Sequence, residues 1–257
     1  MYPELFHLGP LTIYSYGLMI CLGFLAAVAL SEFRARKLGL DAERIVTLAM
    51  LVLTSGFLGA KILYVVVNLQ YFMHRPLEIF SGSGFVVYGG IIAAFLAAIL
   101  YCAKQKLDFY RYFDMAVPGI AVAQGIGRIG CFLAGCCFGV PTSSPWGIVF
   151  HHSLHAPNDI ALVPTQLLSS AGNLAIAALL ILYARQKHNP GKVGLLYLVL
   201  YSVGRFAIEF YRADLRGAIG PLSTSQLISL ILLPICLVLW QRKQLPFSSF
   251  FAEINAE

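Results

Sequence analysis

The stretch Gly125-Ile-Gly-Arg-Ile-Gly-Cys-Phe-Leu-Ala-Gly-Cys-Cys-Phe-Gly139 decides how this chain is interpreted. It lies within an apolar region and carries one arginine, five glycines and three cysteines. An arginine at the centre of a bilayer costs about 2.5 kcal/mol on insertion scales. Glycines in a membrane helix let backbones approach closely, or let the helix break where it lines a cavity. The stretch therefore predicts a cavity that holds a fixed positive charge.

The composition around this stretch is that of a membrane protein. The chain has 257 residues, of which 59% are hydrophobic and 12% are charged, whereas soluble domains carry about 25% charged residues. The net charge of +6 comes from short basic clusters between apolar runs, a pattern that topology explains better than nucleic-acid binding does. We expect one transmembrane domain over residues 1–257, a retained first span and no nucleic-acid partner.

Seven apolar runs are long enough to cross the hydrocarbon core, which takes about 20 helical residues. The sequence predicts an all-α polytopic protein with about seven transmembrane helices, near Leu11–Leu30, Ile45–Leu69, Gly84–Ala103, Phe113–Phe138, Val163–Ala184, Val193–Tyr211 and Leu222–Trp240.

The distribution of Lys and Arg between these spans predicts the orientation. Twelve lie in the connections of one side and three in those of the other. Because basic loops stay in the cytoplasm, we expect a periplasmic N-terminus and a cytoplasmic C-terminus. The longest outside connection, Val140–Leu162, is expected to form a short extracytoplasmic segment. The aromatic segment Asn68–Ser83 is expected to lie at the interface.

This topology gathers polar side chains in the outer half of the membrane. Arg205, Glu209 and Arg212 are spaced to share one helical face. The other members of the predicted layer are Tyr16, Lys61, Tyr88, Arg128, Gln166 and the Ser223–Gln226 run. Arg128, Arg205 and Lys61 against one buried carboxylate, Glu209, leave excess positive charge. Arginine matches phosphate oxygens well. The simplest ligand at that depth is a phospholipid headgroup.

Each of these residues also has a structural interpretation. Arg205 and Glu209 could form a structural ion pair, Lys61 could extend to the interface, and Tyr16 and Tyr88 could be interfacial aromatics. Arg128 has the weakest alternative, because it lies deep in the span among glycines.

Cys131, Cys136 and Cys137 are expected mainly to pack, although a disulfide or a reactive thiol remains open. On a continuous helix Cys131 and Cys136 would be about 140° apart, which is a poor arrangement for two ligands. The loop histidines His151, His152 and His155 lack the spacing of a zinc site. We therefore expect neither a metal nor a cofactor. Walker A and nucleophile-elbow patterns are absent from the sequence.

At four places the chain resembles the prolipoprotein diacylglyceryl transferase family. The matching pieces are Ile13–Met19, Gly125–Phe132 with Gly135 and Gly139, Pro164–Leu167, and Gly204–Arg212. The resemblance implies a bacterial inner-membrane enzyme with its site toward the periplasm. Such an enzyme transfers the diacylglyceryl group of phosphatidylglycerol to the lipobox cysteine of a preprolipoprotein and releases glycerol phosphate. The resemblance also implies roles for single residues. Arg128 and Arg205 would bind the phosphate and take part in catalysis, Glu209 would orient Arg205, and Tyr16 would contact the headgroup. Asp114 and Gly139 also match family positions.

The chain departs from the family pattern where the acceptor thiol would be activated. Tyr88 stands where members commonly have histidine, and a tyrosine is a poor base near neutral pH. Cys131 and Cys136 replace asparagine and glutamate, and Val163 and Ser169 replace histidine and glutamate. With Tyr88 as a catalytic candidate and Lys61, Gly139 and Gln166 as lipid contacts, lipoprotein lipidation by a monomer is the leading hypothesis. An enzyme with another acceptor, or a phospholipid-binding or transport protein, is the alternative.

Overall fold

The structure, a computed structural model, describes residues 2–8, 11–80, 84–153, 155–214, 218–220 and 222–242. Within these ranges seven long helices follow one another: α1 Ser15–Lys37, α2 Ala42–Val67, α4 Val87–Lys104, α5 Phe109–Ala134, α6 Thr165–Tyr183, α7 Lys192–Glu209 and α8 Thr224–Gln241. The short elements are α3 Leu69–His74, a 3₁₀ helix Pro76–Phe80, and the strands β1 Glu4–Leu8, β2 Leu11–Tyr14, β3 Ile148–Val149, β4 Ala161–Leu162, β5 Ala218–Ile219 and β6 Leu222–Ser223.

Six of the seven long helices are long and apolar enough to cross a membrane, by length and composition. The exception is α7, whose 18 residues include three charged ones, Lys192, Arg205 and Glu209. The chain is thus a multi-pass membrane protein, as its composition predicts, and each predicted run contains a helix.

Four predicted helix ends miss by four residues or more. The helix α1 continues past the predicted Leu30 to Lys37, and α5 begins at Phe109 rather than Phe113. The other two misses are at the start of α1 and the end of α5. The first predicted span begins at Leu11, but β2 occupies Leu11–Tyr14 and pairs antiparallel with β1. The helix begins at Ser15, whose backbone N–H donates to the Pro3 carbonyl at 2.9 Å. The fourth span was expected to reach Phe138, but α5 ends at Ala134. Gly135 follows with φ +73°, a left-handed conformation that terminates helices and favours glycine.

The chain forms two compact units, and α1 and α5 pass from one to the other. The first unit comprises residues 1–31 and 113–245. Its core lies among α5, α6 and α7, where the buried side chains are Val117, Ala121, Ala177, Leu180, Val193 and Tyr197. Small residues bring α1 against α5, because a Cβ on Gly119 would lie 2.7 Å from the Ala27 carbonyl oxygen. Such close backbone approach is how helices pack in a membrane.

Polar contacts fix the start of α7 within this unit. The Asp114 carboxylate on α5 accepts the backbone N–H groups of Gly191 at 2.6 Å and Gly194 at 2.8 Å. Helix N-termini carry unsatisfied N–H groups and partial positive charge, so Asp114 caps α7 from a neighbouring helix. The Lys192 ammonium donates to the carbonyls of Trp240 and Arg242 at the end of α8. Asp114, which matched a family position, thus holds helices together.

The second unit comprises residues 32–112 of the described chain and is built on α2 and α4. These helices are in backbone contact at glycines: a Cβ on Gly59 would lie 2.6 Å from the Gly89 carbonyl oxygen, and one on Gly89 would lie 2.4 Å from that of Gly59. Gly59 and Gly89 are therefore packing positions between α2 and α4. The predicted interfacial segment forms α3 and the 3₁₀ helix, and its end at 81–83 lies outside the described residues.

The connection between α5 and α6 has its own small core in the first unit. Strands β3 and β4 pair antiparallel, and Phe150, Ala156 and Leu162 form a buried cluster. This is the Val140–Leu162 segment that was expected outside the membrane, and that location stays a prediction.

Candidate active site

Arg205 on α7 is held by two partners. Its Nη1 lies 3.2 Å from Glu209 Oε2, one helical turn on, and its Nη2 donates to Ser225 Oγ on α8 at 2.9 Å. The side chains of Arg205 and Glu209 are 14% and 3% exposed. The Nη1–Oε2 pair is within ion-pair distance but is not aligned as a hydrogen bond. Arg205 is therefore oriented in a largely dry environment.

Arg205 and Arg128 line the same pocket, which has a volume of about 300 Å³. Arg128 comes from α5 and Arg205 from α7, and α6 contributes Ser169 and Asn173. The remaining lining residues are Leu168, Gly172, Ile176, Tyr201, Gly204, Ala207, Ile208 and Tyr211. A pocket of this volume falls within the range of small-molecule sites. Two guanidinium groups in an apolar pocket favour an anion with an apolar body.

Arg212, the second basic residue of the predicted helical face, is paired with a carboxylate outside the pocket. Its Nε and Nη2 donate to both carboxylate oxygens of Asp214 at 3.0 and 2.8 Å, and its side chain is 5% exposed. Burial opposes ionisation of Arg212, but Asp214, Cys137 and Glu209 together raise its pKa above the ordinary value. A bidentate pair of this kind has little capacity left for a ligand.

Gly139 lies where three chain segments meet. A Cβ there would lie 2.4 Å from the Val163 carbonyl oxygen and 2.8 Å from that of Tyr211. Its neighbour Val140 donates its N–H to the Tyr211 carbonyl at 2.9 Å. The structure gives Gly139 a packing reason for being glycine, and its lipid contact stays a prediction.

Gln166 and Thr165, at the start of α6, bind the backbone that follows α5. Gln166 Nε2 donates to the Cys136 carbonyl and Thr165 Oγ1 to the Cys137 carbonyl, both at 2.8 Å. Gln166 Oε1 is buried and has no hydrogen-bond partner among the residues that the structure describes. Gln166 thus fixes the loop beside the site, while its lipid contact stays a prediction.

Tyr16 lies in the first turn of α1 and packs on α5. A Cβ on Gly130 would lie 2.9 Å from Met19 Cβ and 3.4 Å from Tyr16 Cδ2, so this glycine allows the first turn of α1 to lie close to α5. Tyr16 is 45% exposed, and Arg128 is among the groups whose charge acts on it. The structure therefore places Tyr16 beside the arginine-bearing segment.

Lys61 and Tyr88, the other predicted site residues, belong to the second unit. The Lys61 ammonium lies 5.2 Å from the ring centroid of Phe85 and 5.7 Å from that of Tyr64, distances typical of cation–π contacts. Tyr88 lies in the first turn of α4 and is 43% exposed. The catalytic role of Tyr88 and the lipid contact of Lys61 stay predictions.

The three cysteines of the opening stretch converge, which the sequence did not predict. The sulfur atoms of Cys131, Cys136 and Cys137 all lie within 4.8 Å of one another, and they are the one such group of potential metal ligands among the described residues. Hydrogen bonds from the Cys131 and Cys136 thiols lower the pKa of Cys137, although burial opposes this, and Arg212 and Arg128 lower it further. The predicted angle of about 140° between Cys131 and Cys136 assumed that the helix continues through Cys136. Gly135 was the signal that this helix ends.

These features define a multi-pass membrane protein with a two-arginine pocket among apolar residues. The chain belongs to the prolipoprotein diacylglyceryl transferase family, whose model matches residues 3–242. It is 46% identical over 232 residues to the phosphatidylglycerol–prolipoprotein diacylglyceryl transferase of Clostridium tetani, covering 90% of this chain and 93% of that protein. It is 43% identical over 225 residues to transferase 2 of Clostridium perfringens, covering 87% and 88%. The Staphylococcus aureus transferase is 33% identical over 254 residues, covering 93% and 89%.

Proposed function

We propose that this chain transfers the diacylglyceryl group of phosphatidylglycerol to the lipobox cysteine of a preprolipoprotein and releases glycerol phosphate. The observation that carries the proposal is the convergence of Arg128 and Arg205 on one pocket. Relatives that cover about nine-tenths of the chain carry the name of this activity. The reaction is the first step of lipoprotein maturation.

The arginine pair binds the phosphate of the donor lipid. Its guanidinium groups come from separate helices, so they approach the phosphate oxygens from two sides. As the bond between the glyceryl carbon and the phosphate oxygen breaks, negative charge develops on that oxygen. Prearranged cations in a site of low dielectric constant stabilise such charge strongly. Glu209 and Ser225 keep the Arg205 guanidinium in place before the lipid arrives.

The topology that fits this reaction is the one the sequence predicts. In this proposal all seven long helices span the bacterial inner membrane as one domain, with the N-terminus outside and the C-terminus inside. The pocket then faces the outer leaflet, where a secreted acceptor is available. We propose that the protein acts as a monomer and that nucleic acid plays no part.

Turnover in reconstituted vesicles tests the proposal. Vesicles containing the protein, phosphatidylglycerol with a labelled glycerol headgroup and a lipobox peptide should release glycerol phosphate and yield peptide modified at its thiol. Arg128→Ala and Arg205→Ala should each lower this rate by about a hundredfold or more, since each removes a donor to the developing charge. Arg185→Ala, at an exposed arginine just after α6, is the matched control and should leave the rate unchanged.

Each result bears on a separate part of the proposal. Absence of both products with the unmodified protein contradicts the transferase activity. Headgroup release with an acceptor other than the peptide would instead indicate a related enzyme. Phosphatidylglycerol binding without turnover would indicate a lipid-binding protein. Full activity in both arginine variants would show that the pair is structural.

A further inference from the structure

The cysteine triad, Cys131, Cys136 and Cys137, is a preformed cluster that the phosphate chemistry leaves unused. Gly135 at φ +73° and Cys137 at φ +60° turn the chain back after α5. The three sulfur atoms then lie within 4.8 Å of one another. A non-glycine residue in the left-handed region is uncommon and is held by its surroundings. The backbone therefore adopts an unfavourable conformation at the place where the thiols converge.

The surroundings fix the backbone of the triad. The Cys136 N–H donates to the Cys131 carbonyl at 3.1 Å, and Gln166 and Thr165 bind the carbonyls of Cys136 and Cys137. Each of the two loop cysteines is thereby anchored to α6. A ligand that binds the sulfur atoms needs only side-chain rotation, because the backbone is already in place.

The spacing of the sulfur atoms suits a small thiophilic cation. Zinc binds thiolate at about 2.3 Å, and tetrahedral geometry then separates two sulfur atoms by about 3.8 Å. The observed limit of 4.8 Å requires closure by at most roughly 1 Å. Three thiolates and Zn²⁺ carry one net negative charge, and Arg128 and Arg212 act electrostatically on Cys137. The positive charges of Arg128 and Arg212 therefore favour the negatively charged complex of Zn²⁺ with three thiolates.

Three protein ligands leave the fourth position of tetrahedral zinc open, as in catalytic zinc sites. Cys136 and Cys137 are only half-buried, so a fourth ligand has access. Cys131 lies one helical turn beyond Arg128 on α5, which places the triad next to the phosphate pocket. The open position is thus near the point where the lipid reacts.

We propose that the cysteine triad binds one zinc ion and that its open position receives the acceptor cysteine thiol. The inference rests on the proposed transferase function. A thiol that coordinates zinc loses its proton, which here passes to solvent. The zinc-bound sulfur uses a lone pair to form the C–S bond with the glyceryl carbon. The C–O bond breaks, its electron pair stays on the phosphate oxygen, and glycerol phosphate leaves. The thioether product is a weaker ligand and departs.

Metal binding is tested first, without turnover. The full-length protein in detergent, treated with chelator and reductant, is titrated with Zn²⁺ and with Co²⁺. One equivalent should bind, and Co²⁺ should give the sulfur-to-metal absorption of a tetrahedral thiolate site. Cys131→Ser, Cys136→Ser and Cys137→Ser should each lower affinity by more than the roughly tenfold to hundredfold typical of outer-shell changes. Cys236→Ser, at a buried cysteine of α8, is the matched control and should bind normally.

The acceptor is tested on the cobalt-loaded protein. A lipobox peptide should change the cobalt spectrum as a fourth thiolate joins, and the same peptide with serine for cysteine should not. Chelator should lower turnover about tenfold or more, and Zn²⁺ should restore it. These assays use wild-type protein and do not depend on whether the variants fold.

The proposal is overturned if Co²⁺ shows no thiolate absorption or if reduced protein binds no metal. It is equally overturned if the triad variants bind as Cys236→Ser does, or if the cysteine and serine peptides give the same spectrum. Full turnover after chelation would remove the zinc role and leave the transferase function intact. Metal binding with no transferase activity would reject the proposed function and confine the finding to a zinc site.

Discussion

The contact between Arg205 and Ser225 allows a specific test of how the proposed phosphate site is prearranged. Ser225 Oγ accepts from Arg205 Nη2 at 2.9 Å, and Ser225 lies in the first turn of α8. In Ser225→Ala the guanidinium loses this hydrogen bond to α8 and keeps Glu209. A hydrogen bond to a charged group contributes about 1.5 kcal/mol at the lower end, which corresponds to about a tenfold change in rate.

Turnover of phosphatidylglycerol at limiting lipid measures this effect. The expected result is a tenfold fall in kcat/KM with an unchanged melting temperature in detergent. Ser229→Ala is the matched control, because Ser229 Oγ donates to the Ser225 carbonyl one turn back within the same helix. It removes a serine hydroxyl from α8 without touching Arg205. Equal rates in the two variants, within twofold, would refute the view that Ser225 positions the guanidinium.

Two further predictions concern packing. Asp114→Ala should lower the free energy of unfolding of the first unit by about 2 kcal/mol, because two buried N–H groups of α7 lose their acceptor. The melting temperature should fall by about 6 °C. An unchanged melting temperature would contradict the capping role. Gly139→Ala should destabilise by about 1–3 kcal/mol, because its Cβ would overlap two carbonyl oxygens. The control is Gly17→Ala, where nothing lies within 4 Å; equal melting temperatures for the two would show that the chain at Gly139 adjusts freely.

Sequence reasoning located the helices well because its signal, an apolar run of about 20 residues, is set by membrane thickness. It was least accurate at helix ends. Leu11–Tyr14 is as apolar as the helix that follows, so hydropathy could not separate β2 from α1. The α5 end depended on the backbone conformation of one residue, Gly135, in a stretch that holds five glycines.

The site was predictable where spacing along one helix determines the geometry. Arg205 and Glu209 pair because four residues make about one turn. The shared pocket of Arg128 and Arg205 depends instead on how α5 packs beside α7, which the charge surplus suggested but could not locate. The thiol cluster was missed because it forms only after the helix has ended. The sequence did not predict that the Arg212 guanidinium is paired with a carboxylate, because its partner Asp214 lies beyond the end of α7.

The backbone bonds around Gly139 have a consequence for how the protein is made. Val163 donates to Val140, Val140 to Tyr211, and Ala213 to Phe138. The last of these partners is synthesised 75 residues after the first. A ribosome adding about 5–20 residues per second needs several seconds for that distance. During this interval Arg128 is already in the chain without Arg205, and the triad's surroundings are incomplete. The newly made protein must therefore insert most of its length before it can hold its lipid.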